Sequence, residues 1–230
     1  MEANNKPGTE SIGHSRWHEE DSPWKAKNIY KILEKNKLAL KTVCEIGCGT
    51  GEVIHSLAGF FDKKVEFVGY ELEQEAFDIC KTKETGNIHY RQEDLLDLDV
   101  YYDLVMAINV IDHVTDYLGF LSRLRSKGEF KVFHIPLETT VYSALRKSHF
   151  EKKIAMGEYK HSFSKETALG TLKGTGYQIV DYFYTNSSME LPNRGKKDRL
   201  WTIPRKILYG INKDFGVKML GGFSLMVLAK

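Results

Sequence analysis

The residues that could do chemistry begin with three glycines at alternate positions. "VCEIGCGTGEV", residues 43–53, places Gly47, Gly49 and Gly51 between an apolar run and a stretch with helical spacing. Glycine accepts positive φ, and its missing side chain lets a ligand approach the backbone. The helix start beyond such a turn offers N–H groups with no partner inside the helix. A dinucleotide turn needs G-x-G-x-x-G, but residue 52 is Glu. A carboxylate at that helix start opposes a bound pyrophosphate. Two other carboxylates complete a different pattern. Glu71 ends the next apolar run, and a strand-end carboxylate there can accept hydrogen bonds from both hydroxyls of a ribose. Asp94, in "QEDLLDL", follows the third run, where a carboxylate can accept from an exocyclic amine such as that of adenine.

The elements that must position these groups read as follows. "PWKAKNIYKILEKN" has helical spacing, with Ala26, Ile29, Ile32 and Leu33 on one face. "LKTVCEI" is a buried strand, "GEVIHSLAGFF" a helix, "KKVEFVGYE" a strand and "QEAFDICKTK" a helix. "NIHYRQ", "YYDLVMAIN" and "EFKVFHIP" are three more strands, with "VTDYLGFLSRLRSKG" a helix between the last two, closed by Gly128. This alternation predicts a parallel α/β sheet covered on both faces. An irregular stretch (136–163) precedes a helix "SKETALGTLKGTG" and a strand "YQIVDYFYT"; a second insertion (185–218) precedes a final apolar strand. The reading is one domain over 23–230, after a flexible polar segment, 1–22, without the apolar core of a secretion signal.

Ribose and adenine recognition without a phosphate site describes a nucleoside with a charged tail, such as S-adenosylmethionine. "VCEIGCGTGEV" resembles the first motif of class I S-adenosylmethionine-dependent methyltransferases, and Glu71 matches that family's acidic residue after the second strand. "RQEDLLDL" is similar to the adenine loop, "YDLVMAINVIDHV" to the fourth-strand motif, and "HSFSKETALGTLKGTGYQIVD" to the segment opening a later helix. The closest resemblance is to the broad bacterial group acting on small molecules, quinones or sugars. It implies a Rossmann-like seven-stranded sheet, order 3-2-1-4-5-7-6, strand 7 antiparallel. It also implies donor binding by Glu45, Gly47, Cys48, Gly49, Gly51, Glu71, Leu72, Asp94, Leu95, Asn109, Val110 and His113. In that arrangement Glu45 faces the donor's amino group, Leu72 and Leu95 sandwich the adenine, and Asn109, Val110 and His113 lie beside the sulfonium. Trp24 and Lys25 are placed to close over the donor carboxylate. The product is S-adenosylhomocysteine, and no metal is required.

A hydroxyl acceptor needs a base, and His134 and His161 are the candidates. The insertions are expected to cap the acceptor. Residues 140–163 hold Arg146, Lys147, Lys152, Lys153 and Lys160 against Glu151 and Glu158, and residues 186–220 are also rich in Lys and Arg. Their bland reading is a solvated basic face; the sharper one is an anionic acceptor such as a nucleotide- or lipid-linked sugar. The expected reaction is methyl transfer to a small molecule or sugar, on oxygen before nitrogen or carbon; a non-catalytic donor-binding protein is the alternative. The net charge of +2 gives no global pull toward nucleic acid. Cys44, Cys48 and Cys80 include no C-x-x-C pair, which argues against a zinc site and a disulfide scaffold and for a cytoplasmic protein.

Overall fold

The computed structural model describes residues 19–145, 160–191 and 196–230, apart from the side chains of 187–188 and 196–201. Seven strands form one sheet: β1 (Thr42–Ile46), β2 (Glu66–Tyr70), β3 (Ile88–Arg91), β4 (Tyr102–Ile108), β5 (Gly128–Leu137), β6 (Ile179–Thr185) and β7 (Phe223–Ala229). Their order is β3-β2-β1-β4-β5-β7-β6, with β7 antiparallel to both neighbours. The helices are α1 (Ser22–Lys35), α2 (Glu52–Ala58), α3 (Gln74–Lys81), α4 (Tyr117–Leu124), α5 (Val141–Leu145), α6 (Lys165–Gly174), α7 (Ser187–Glu190), α8 (Lys196–Ile211) and α9 (Lys213–Leu220).

The period of two along each strand divides the core between the two faces of the sheet. Val43, Phe67, Leu104, Met106, Ile108 and Val132 pack with Ile29, Ile32 and Leu33 of α1 and Ile54 and Leu57 of α2. Cys44, Ile46, Val105, Ala107, Phe133 and Ile135 pack on the other face with Leu121 and Leu124 of α4 and Ala168 and Leu172 of α6. Both faces are apolar, as a parallel sheet covered on both sides requires. The strand order turns back between β1 and β4. This leaves a crevice at the carboxyl ends of the strands, the usual ligand position in such sheets.

Several boundaries depart from the sequence reading for visible reasons. α2 stops at Ala58 because Phe60 and Phe61 leave the helix to pack on Tyr30, at ring separations of 4.9 and 5.6 Å. α4 begins at Tyr117, where Asp116 caps it by accepting from the Gly119 N–H at 2.9 Å. β5 runs on to Leu137 because β7 pairs along it from Lys131 to Leu137. The described parts of the second insertion are mostly helical. Arg146, Lys147, Lys152 and Lys153 lie outside the described residues, as do residues 1–18 of the N-terminal segment.

Candidate active site

The glycine loop folds back over the end of β2. The N–H groups of Gly47 and Cys48 donate to the Tyr70 carbonyl at 2.8 and 3.0 Å. Gly47, Gly49 and Gly51 all adopt positive φ, at 66°, 55° and 76°. At Gly51 a Cβ would lie 2.6 Å from the Tyr90 hydroxyl, which itself donates to the Gly51 carbonyl at 2.9 Å. Gly51 therefore satisfies both a backbone conformation and a packing constraint that no other residue meets. Glu52 turns away from the loop to pair with Lys83, just beyond α3, at 2.8 Å.

Glu71 is held rigidly. One carboxylate oxygen accepts from the Gly49 N–H at 2.8 Å, and the other accepts from the N–H groups of Leu72 and Glu73 at 2.8 Å each. The carboxylate thus ties the glycine loop to the end of β2. Each carboxylate oxygen has more than one acceptor direction, so capacity remains for a ligand. Asp94 uses one oxygen to cap the short turn Leu95–Asp97, accepting from the Leu96 N–H at 2.9 Å. A cavity of about 400 Å³ opens between these groups, lined by Gly47, Glu71, Leu72, Asp94, Leu95 and Val110 among others. Leu72 is 63% exposed at its rim and Leu95 is fully buried in its wall.

Glu45, on β1, is only 2% exposed, and its Oε2 has no hydrogen-bond partner. Burial pushes its carboxyl up to about 8; Lys25 of α1 draws it back and Glu71 pushes it further. A carboxylate so placed is incomplete without a cation or donor.

Glu45 and the remaining predicted residues lie outside the cavity lining. Gly49 and Gly51 shape the loop behind it. Cys48 is buried, and a hydrogen bond with the Cys80 thiol, followed by burial, raises its pKa. Asn109 takes the left-handed conformation at φ 57° and sends its side-chain oxygen to His134 Nδ1 at 2.6 Å. His134 Nε2 meets the Thr185 hydroxyl at 2.9 Å. Both ring nitrogens are therefore engaged, and burial, with Lys25 adding to it, pushes the imidazole down to about 3. A ring in that state takes up a proton poorly near neutral pH. His113 is half-exposed, with Nε2 3.5 Å from the buried Asp112 carboxylate. His161 donates from Nε2 to the Thr115 carbonyl at 3.1 Å and packs against Tyr117 at 4.6 Å. Trp24 donates to Glu190 at 2.7 Å, joining α1 to α7, and its ring edge meets His134 at 6.0 Å.

Sequence reasoning missed the wall contributed by Asp116, Gly119, Phe120 and Arg123. The available signal was Asp116 as a capping residue, since the first turns of a helix after β4 share its end of the sheet.

A family model described as a methyltransferase domain matches residues 44–127, which include the glycine loop, Glu71, Asp94 and β4. Residues 44–127 therefore carry the pattern of a methyltransferase domain. Beyond those residues, the chain has the sheet order and the antiparallel β7 of the class I methyltransferase fold. It is similar to the magnesium protoporphyrin IX methyltransferase of Synechocystis PCC 6803 with bound S-adenosylhomocysteine. That likeness has a TM-score of 0.59 at 17% identity, over 95% of this chain and 89% of that one. A S-adenosylmethionine-dependent methyltransferase from Archaeoglobus fulgidus matches with a TM-score of 0.57 at 19% identity, over 94% and 100%. The plantazolicin methyltransferase in complex with S-adenosylhomocysteine matches with a TM-score of 0.60 at 13% identity, over 93% and 87%. At such identities these likenesses speak for the fold. Comparison with curated proteins finds no match. Among the described residues no cluster of His, Cys, Asp and Glu is placed to hold a metal ion, and no helix is long and apolar enough to cross a membrane.

Proposed function

We propose that this methyltransferase takes S-adenosylmethionine as donor, releases S-adenosylhomocysteine, and methylates a small molecule on oxygen. The observation that carries the donor reading is Glu71, fixed by three backbone N–H groups at the mouth of a cavity that also meets the glycine loop and Asp94. Glu71 accepts from the ribose hydroxyls, and the second oxygen of Asp94 accepts from the adenine amine. Leu72 and Leu95 cover the two faces of the base. The backbone at Gly47, Gly49 and Gly51 makes room for the amino-acid end. The unpartnered oxygen of Glu45 fits an ammonium group, which supports a donor with an amino-acid tail.

The donor supplies a methyl group on a positively charged sulfur. The protein's contribution is alignment of donor and acceptor in a water-poor site. Asn109, Val110 and His113 flank the reacting end. His134 acts as a positioning group: through its bond to Asn109 it holds the unusual backbone at the end of β4. His161 is the remaining base for a hydroxyl acceptor. Its Nε2–H is committed to the Thr115 carbonyl, so in the neutral ring Nδ1 is the basic nitrogen. We assign the insertions at about 136–163 and 185–218 to an acceptor cap. Their excess of Lys and Arg supports an anionic acceptor, such as a nucleotide- or lipid-linked sugar.

The test offers labelled donor with pools of hydroxylated small molecules and follows S-adenosylhomocysteine formation by wild type and Glu71→Ala. Wild type is expected to turn over at least one pool, and Glu71→Ala to lose turnover at limiting donor. Donor binding without turnover on any pool, anionic sugars included, would sink the transfer reading.

A further inference from the structure

Helix α8 turns three isoleucines outward. Ile203, Ile207 and Ile211 follow at four-residue spacing, so they stack along one side of the helix. They are 68%, 57% and 77% exposed. Phe215, in the first turn of α9 beyond the extended Asn212, is 50% exposed. A single exposed apolar side chain is ordinary, but a stripe of three along one helix marks a contact surface.

The stripe does not come from loose packing, because the inner side of the same helix is occupied. Tyr209 stacks on Phe223 of β7 at 5.1 Å, and the Arg205 guanidinium lies against Gly222. Gly216 allows α9 to approach the Tyr209 backbone, where a Cβ would sit 2.8 Å from the Tyr209 nitrogen. Asp214 and Glu166 pair with Lys165 and Lys218, at 2.6 and 2.7 Å, and tie α9 to α6. The isoleucines therefore face water because the helix is fixed that way round.

Charge selects the occupant. Residues 196–213 carry six Lys or Arg and one Asp. Lys206 lies among the isoleucines on the exposed side, and Lys213 is exposed beside Tyr209. An apolar stripe with interleaved cations is the pattern of a helix lying in the surface of an anionic bilayer. There the apolar chains enter the acyl boundary and the lysine stems reach back to the headgroups. A second copy fits less well, because a two-fold contact through this face sets its own cations against each other. A nucleic acid would use the charge and leave the isoleucines in water.

We propose that the outer face of α8 and the start of α9 docks on a lipid bilayer carrying anionic headgroups. The proposal does not depend on the donor reading. It also bears on the site, since the insertion grows from the end of β6, where Thr185 meets His134 at the carboxyl edge of the sheet.

The experiment is co-sedimentation of the full chain with vesicles of phosphatidylcholine alone and of phosphatidylcholine with phosphatidylglycerol. Wild type is expected to bind the anionic vesicles, less at high salt, and the neutral ones weakly. Ile207→Glu is expected to weaken binding about tenfold or more, the worth of one buried aliphatic side chain. Lys206→Glu should weaken binding to anionic vesicles and raise the share that is insensitive to salt. Both positions are on the surface, so an unchanged circular dichroism spectrum and unchanged S-adenosylhomocysteine binding separate loss of docking from loss of folding. Absence of binding to anionic vesicles at low salt overturns the proposal, as does equal binding by Ile207→Glu. A concentration-dependent dimer that Ile207→Glu abolishes, with no vesicle binding, assigns the face to a second copy and overturns it too.

Discussion

Replacing Glu45 by Gln should flatten a pH dependence of donor binding that the wild type must show. In the ligand-free protein the carboxyl is held at about 8, chiefly by burial, and its Oε2 has no partner. The form that attracts an ammonium group is the ionised one. Below pH 8 that form is a minority, and apparent affinity scales with its fraction. Between pH 5.5 and 7 the ligand's own amino group stays protonated, so S-adenosylhomocysteine affinity should rise about tenfold per pH unit. Binding at pH 7 should release protons, since the Glu45 carboxyl is mainly protonated there. Isothermal titration calorimetry in two buffers of different ionisation heat measures both quantities. Glu45→Gln should show neither the slope nor the proton release. The same carboxyl sets a stability trend. The folded protein keeps a proton that an unfolded carboxyl at 4.5 has lost, so this group costs stability as pH rises from about 4.5 to about 8. Wild-type affinity independent of pH, or a slope that survives in Glu45→Gln, would refute the assignment of Glu45 to the amino group.

Three further outcomes are expected. Gly51→Ala combines a positive φ of 76° with a contact of 2.6 Å to the Tyr90 hydroxyl, and should cost about 2–4 kcal/mol. Differential scanning calorimetry should show the midpoint falling by about 5–15 °C, and an unchanged midpoint would mean that the loop relaxes freely. Glu71→Ala should weaken S-adenosylhomocysteine about ten- to a hundredfold in equilibrium binding, since it removes charge-assisted hydrogen bonds and unties Gly49. His134 has a depressed pKa of about 3, so its contribution to stability is present above about 6.5 and lost as pH falls toward 3. His134→Gln should therefore lower stability at pH 7.5 and blunt the acid sensitivity seen in urea melts; an acid profile identical to wild type would count against this.

The sheet and the donor cavity were legible because each rests on a local pattern. Alternating apolar runs mark strands buried on both faces, and Gly47, Gly49 and Gly51 mark a turn that needs positive φ. Glu71 and Asp94 stand where strands end, which sequence order alone locates. The depth to which Glu71 is pinned was not legible, since its partners are backbone N–H groups of Gly49, Leu72 and Glu73. The state of His134 was hidden for a similar reason. Asn109 and Thr185 are 25 and 51 residues away, and only the pairing of β4 with β5 and of β7 with both β5 and β6 brings them to the ring. The outward face of α8 could not be read either. Ile203, Ile207 and Ile211 have the spacing of a core-facing stripe, and tertiary packing through Tyr209 and Gly216 decided that they face water.

The central claim is that the glycine loop, Glu71 and Asp94 form an adenosine site without a pyrophosphate site. It is tested most directly by parallel calorimetric titrations of the wild-type chain with S-adenosylhomocysteine and with NAD. The account predicts saturable one-to-one binding of S-adenosylhomocysteine that Glu71→Ala weakens, and no binding of NAD. Tight NAD binding with no heat from S-adenosylhomocysteine would contradict it.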